Sequence, residues 1–261
     1  MSICAPHIKD KICYSKNDLI YICKQYNKSN SDKIKYKNIN KIQLWNIIKD
    51  KLKKQCKDNH RCWLDQKFIP ANFKYSREHK FKPKMPKSWY KNITEWLSTI
   101  EIDNVLQQYS KKYNDYHYCG AVPSDCPKNI QCSLSNLNLD KTNIIGIVFN
   151  LDEHHQSGSH WVSCIIDLYK NIIYYYDSNG NLPNKNIAEF IKSIYNKLKS
   201  KNKTPKFYYN KKVHQMSNTE CGMFSIMFNI NYLKHRNFKK VIDLNPTDKE
   251  MINLRKILFI S

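Results

Sequence analysis

The sequence predicts an α+β fold, and three observations carry that reading. Short apolar segments rich in β-branched and aromatic residues cluster between residues 144 and 176, helical apolar spacing flanks them on both sides, and no internal repeat is present. The 261 residues suit one sizeable core with a smaller appendage, and a 41% hydrophobic, 13% aromatic composition supplies enough apolar surface to fold it.

In chain order, residues 18–23 and 42–48 place apolar side chains at helical spacing. Between residues 68 and 89, Pro70, Pro83 and Pro86 stand among lysines, which predicts broken, exposed backbone and a domain boundary near residue 88. Residues 1–87 therefore read as a basic, mostly helical N-terminal arm region and 88–261 as the main domain. Ile93, Trp96, Leu97 and Ile100, then Ile102, Val105, Leu106 and Tyr109, give one or two amphipathic helices with a break around Thr99. Residues 144–149, 161–168 and 172–176 read as strands. A short turn around Lys170 makes the last two an antiparallel hairpin. After a turn cluster at 177–181, Ile187, Phe190, Ile191, Ile194 and Leu198 repeat helically. Residues 206–209 with Val213 read as a further strand, and 221–233 and 251–260 as helices.

The formal charge of +22 is uneven: residues 1–100 carry 23 Lys and Arg against 8 Asp and Glu, a net +15, and residues 101–261 carry 21 against 14, a net +7. That asymmetry favours an acidic partner, with nucleic acid reached through the N-terminal region as an accessory one, although AT-rich coding produces the same bias. The alternative function it allows is a basic nucleic-acid-binding structural protein. No run approaches the roughly 20 apolar residues of a membrane span, and the first residues lack a signal-peptide pattern. The expectation is a protein of a reducing compartment, cytoplasmic or nuclear, not secreted and without a membrane partner. Ten cysteines at irregular spacing then read as free thiols, most of them buried. Neither Cys56 and Cys62 with His60 nor Cys119, Cys126 and Cys132 has the paired short spacing of a structural zinc site. The cluster Asp152-Glu153-His154-His155 reads as a solvated loop. No metal and no cofactor is expected.

Chemistry concentrates in residues 213–224. Cys221 opens a strongly apolar helix, where the positive end of the helix dipole favours thiolate. Gly222 allows close approach to that sulfur, and Gln215, in the preceding loop, can donate to an oxyanion beside the helix's own N–H groups. His160, at the mouth of a strand, is the candidate base. The start of the first strand of an antiparallel hairpin lies beside the end of the second, so Asp177 falls beside His160 as its orienting acceptor. Each signal taken singly is weak, since a Cys-Gly pair at a helix start is more often packing.

Together, His160-Trp161, an aromatic strand ending in Asp177, and Gln215 six residues before Cys221-Gly222 resemble the ubiquitin-like-protein-specific and adenovirus-type cysteine proteases. The likeness covers about residues 88–261 and is strongest to a viral polyprotein-processing member, which has Asn where this chain has Asp177. It implies a papain-like core, a mixed or antiparallel sheet flanked by helices with the nucleophile at a helix N-terminus. It further implies a cysteine endopeptidase cleaving after Gly-Gly or Gly-Gly-x, with Trp96, Trp161 and Gly222 binding substrate. The substrate class is a viral structural polyprotein, in host cytoplasm and virion, or a conjugate of a ubiquitin-like modifier.

Overall fold

The computed structural model describes residues 3–128, 137, 139 and 143–260. Two compact units divide the chain after Pro83. The first holds α1 (Lys16–Ser29), α2 (Lys41–Lys51), α3 (Lys53–Cys56), a 3-10 turn at His60–Asp65, and α4 (Ala71–Glu78). Reciprocal capping boxes, Ser15 with Asp18 and Asn40 with Gln43, start α1 and α2 where the periodicity places them. Helix α4 corrects the expectation of broken backbone between residues 68 and 89. Pro70 is its N-cap, a position where the missing N–H forfeits no intrahelical bond.

The core of this unit is aromatic and small. Tyr14 stacks on Trp63 with ring centroids 5.5 Å apart and meets Phe81 edge-on at 5.3 Å. Buried Asp18 accepts from Arg77 at 2.5 Å and from Lys80. Burial works against its charge, but those cations and Ser15 outweigh it and hold the carboxyl at about 2. Burial, with Lys49 nearby, pushes His60 down to about 4, so its ring is neutral at ordinary pH.

Cysteine pairing departs from the sequence expectation. Cys4–Cys13 and Cys56–Cys62 are disulfides, and Cys126 in the second unit is disulfide-bonded too; Cys132 lies outside the described residues. Spacing alone carried no pairing information here, because the N-terminal segment returns to pair beside Phe81, bringing Cys4 into the interior. A unit of this size buries too little apolar surface to dispense easily with cross-links.

In the second unit a 3-10 turn at Lys87–Tyr90 precedes α5 (Thr99–Lys112), so of the one or two helices expected there one forms. Ser98 and Glu101 form a capping box, so Thr99 is a beginning and not a break. The sheet follows: β1 (Tyr116–Pro123), β2 (Ile144–Asn150), β3 (Trp161–Asp167), β4 (Ile172–Tyr176) and β5 (Lys206–Tyr209), in that spatial order. The β1–β2 and β4–β5 pairs are parallel, and the two inner pairs antiparallel. Strand β1 escaped sequence reading because its register slips between Tyr118 and Ala121, which breaks the alternation. Val213 lies outside β5.

Helices α6 (Lys185–Ser200), α7 (Cys221–His235), α8 (Phe238–Asp243) and α9 (Asp248–Leu258) complete the fold. The sheet is covered on both faces, so β2 and β3 read as continuous apolar runs. Ile145, Ile147, Val162, Cys164 and Ile173 pack with Ile187, Phe190 and Ile194 of α6. Val148, Trp161, Ile165 and Tyr176 pack with Phe224 and Phe228 of α7 and with α5 and α9. No helix among the described residues is long and apolar enough to cross a membrane.

Candidate active site

Cys221 is the first residue of α7 and is 2% exposed. Most helices here begin with a side-chain cap, yet α7 does not. Its N-cap Glu220 makes no cap hydrogen bond, because its carboxylate is turned to Arg255 Nε at 2.9 Å, both side chains fully buried. The first-turn N–H groups beside the sulfur are therefore left without a side-chain competitor. Cys23, Cys119 and Cys164 also remain as thiols, but burial pushes Cys23 and Cys119 up to about 12 and Cys164 upward as well.

His160 stands just before β3, its carbonyl accepting from Leu151 N at 2.9 Å. Its Nε2 lies 2.6 Å from Asp177 Oδ1, so the β3–β4 hairpin brings His160 and Asp177 together as the sequence predicts. Cys221 hydrogen-bonds to the same ring. Burial disfavours the imidazolium, but hydrogen bonding to Asp177 and Cys221, with their attraction, outweighs it and pushes His160 up to about 9.

Asp177 is 1% exposed and held from several sides. Its Oδ1 also accepts from Asn179 N at 2.9 Å. Asn210 accepts from Asp177 N at 2.9 Å and donates to Asp177 O at 2.6 Å, clamping the backbone of that one residue. Gln215 is fixed through its oxygen, which accepts from Ser178 Oγ at 2.7 Å, while Nε2 donates to Ser217 O at 2.7 Å. A primary amide has two N–H donors, so one remains for a second acceptor. Helix α9 anchors both ends of this loop. Asp248 accepts from Met216 N and Ser217 N at 3.0 Å each, and Arg255 pairs with Glu220 while donating to Glu95 O at 2.7 Å.

Trp161 is buried, its Nε1 donating to Leu97 O at 2.8 Å. Gly222 explains how it fits: a Cβ there would stand 3.0 Å from Leu97 Cβ and 3.3 Å from Trp161 Cδ1. Gly222 thus seats the indole. Trp96, 46% exposed, stands with Trp161, Thr99, Asn150 and Ser157 around a cleft of about 590 Å³. The loop at 152–155 contributes Asp152, Glu153 and His154 to the same cleft, with His154 and His155 exposed.

Sequence reading passed over Asn210, Ser178 and the Glu220–Arg255 pair. Only Arg255 left a trace: it occupies the apolar stripe of α9 between Met251 and Leu258, and a cation there requires a buried partner. Asn210 follows β5 in a polar stretch with no distinguishing pattern.

A family model described as the Ulp1 protease family, C-terminal catalytic domain, matches residues 107–261. The chain is 30% identical over 283 residues to R355, named as a thiol protease, of Acanthamoeba polyphaga mimivirus, covering 99% of this chain and 93% of the relative. It is 26% identical over 203 residues to the SUMO-1 cysteine protease S273R of African swine fever virus, covering 70% of this chain and 72% of that one. A crystal structure of the African swine fever virus pS273R protease matches with a TM-score of 0.68 at 21% identity, over 100% of this chain and 96% of that one, which shows a shared fold.

Proposed function

The chain belongs to the Ulp1 protease family and is a cysteine-type peptidase, and on that footing we propose that Cys221, His160, Asp177 and Gln215 are its catalytic residues. The observation that carries this is His160 engaged by both Asp177 and Cys221 at an uncapped helix start. Asp177 accepts from His160 Nε2–H and fixes the ring, whose other nitrogen takes the Cys221 proton. The thiolate attacks the scissile carbonyl carbon. The developing oxyanion is met by first-turn N–H groups of α7 and by the second N–H of Gln215. The imidazolium then protonates the leaving amine, and water, activated by His160, hydrolyses the thioester and restores the thiol.

We further propose cleavage after Gly-Gly or Gly-Gly-x, in a channel between Trp96 and Trp161. An indole pressed over extended backbone leaves no room for a β-carbon. The exposed indole of Trp96, on the same cleft as Trp161, supports this reading. Processing of viral structural polyproteins fits the viral origin of both relatives, and deconjugation of a ubiquitin-like modifier fits the name of the African swine fever virus relative. Incubating the full chain with diglycine-ended modifier fusions and with viral precursor fragments, each also carrying Ala in place of the last Gly, separates the two. Cleavage of the Gly but not the Ala substrates is expected, and equal cleavage of both would remove the channel.

A further inference from the structure

The first unit contains a second cluster of ligating side chains. The Cys4 and Cys13 sulfurs and a ring nitrogen of His60 all lie within 4.8 Å of one another, and Cys13 Sγ is 3.3 Å from His60 Nε2. All three residues are buried, at 4%, 2% and 9% exposure. The His60 ring is held by its neighbours, with centroids of Trp45, Trp63 and Phe81 each within 5.9 Å. In the oxidised chain the two sulfurs are joined. We propose that, once this disulfide is reduced, Cys4, Cys13 and His60 form a binding site for a soft divalent cation, zinc above all, so that one locus of the arm is closed either by a disulfide or by a metal.

The chemistry is complete with a dithiol as reductant. Its thiolate attacks one sulfur of Cys4–Cys13, its second thiol displaces the mixed disulfide, and the dithiol leaves as a cyclic disulfide. Two electrons and two protons are thereby delivered to Cys4 and Cys13. Zinc binding then releases those two protons to solvent, since thiolate is the ligand. Geometry suits the ion. With zinc–sulfur bonds of about 2.3 Å and zinc–nitrogen bonds of about 2.0 Å, tetrahedral neighbours S and N stand about 3.5 Å apart, close to the separation already present. The two sulfurs need to part to about 3.8 Å, a change that side-chain torsions absorb. Three protein ligands leave a fourth position for water. Two thiolates and an imidazole favour zinc or its reporter cobalt over magnesium or calcium, which take oxygen.

The test uses the full chain carrying Cys221→Ser, so that the thiol of the proposed active site does not titrate. Anaerobic reduction with a phosphine opens the disulfides, the phosphine leaving as its oxide. Titration with Co²⁺ should then give one equivalent of bound metal with thiolate-to-cobalt charge-transfer and intense tetrahedral bands. The unreduced chain should give neither. Cys4→Ser and His60→Ala should each weaken binding at least about tenfold. In a second measurement that needs no change in the arm, Zn²⁺ should slow alkylation of Cys4 and Cys13 in the reduced chain and leave the rate at Cys23 unchanged. Absence of the charge-transfer band from a chain whose Cys4–Cys13 bond is shown open by mass spectrometry would overturn the site, as would equal alkylation with and without zinc.

Discussion

The two units of this chain reach stability by different means. The second, Lys84–Ser261, wraps a five-stranded sheet in helices on both faces, and its core runs through α5, α6, α7 and α9. The first, Met1–Pro83, has short helices around an aromatic stack, and adds two disulfides and the buried Asp18 with its two cations. Hydrophobic burial grows with size, so the larger unit can leave a cysteine thiol and an imidazole in its interior for chemistry. The smaller unit ties four of its five cysteines into disulfides and leaves Cys23 as a buried thiol. The difference predicts that function and stability are separable: substitutions at the site in the second unit remove turnover without unfolding it, and substitutions at cross-links in the first unit do the reverse.

The largest effect belongs to the sulfur. Cys221→Ala should lower cleavage of a diglycine substrate by at least about 10³-fold, since the covalent route is gone, while the denaturation midpoint barely moves. His160→Ala should come close to it. Full turnover by a highly purified Cys221→Ala protein would show that the chemistry lies elsewhere.

Asn210→Ala comes next, and it separates positioning from packing. Asn210 clamps both backbone groups of Asp177 without touching the imidazole. A misplaced acceptor leaves His160 less well oriented, so kcat should fall about 10- to 100-fold with KM nearly unchanged. A rise in KM alone would mean that the side chain shapes the cleft and not the base.

Cross-link removal tests the other unit. Cys56→Ser with Cys62→Ser frees a short loop, worth about 2 kcal/mol in chain entropy. Amide exchange in α1 and α2 should accelerate accordingly. Exchange in β3, and turnover of a small thiol-directed probe, should stay as they were. Uniform acceleration in both units would show that they unfold as one.

How much of this was legible follows from the range of each interaction. Helices α1, α2, α6, α7 and the β3–β4 hairpin are local, and their apolar periodicity reports them directly. His160 and Asp177 were legible for the same reason, since a hairpin is the one sheet pairing whose register a short turn dictates. Asn171 adopts the left-handed conformation in that turn. Cys221 needed its context, an apolar helix after a polar loop, and the family resemblance joined it to His160. What sequence could not report is long-range. The Cys4–Cys13 and Cys56–Cys62 links, the α9 anchors on Glu220 and Ser217, and the parallel pairing of β1 with β2 each depend on how segments return through space. Helix α4 was missed for a different reason: three prolines suggested broken, exposed backbone, but one of them serves as a helix start.

The smallest expected effect is a shift in pH profile, and it tests whether the burial that stabilises the second unit also tunes its chemistry. His160 is pulled two ways, because burial lowers its proton affinity while Asp177 and Cys221 raise it, and the partners prevail to about 9. The imidazolium, which in the proposed mechanism donates to the leaving amine, is therefore present below about pH 9 and is lost as pH rises through it. Asp177→Asn keeps an oxygen to accept from Nε2–H, so the ring stays oriented and turnover near neutrality falls less than in His160→Ala. The negative charge is gone, however, and burial remains, so the proton must leave His160 at lower pH. The alkaline limb of kcat/KM should move to lower pH in Asp177→Asn, and the imidazole resonances of His160, followed by NMR in the Cys221→Ala background with and without Asp177→Asn, should titrate in the same order. An alkaline limb that stays in place while kcat falls would mean that Asp177 acts by geometry alone.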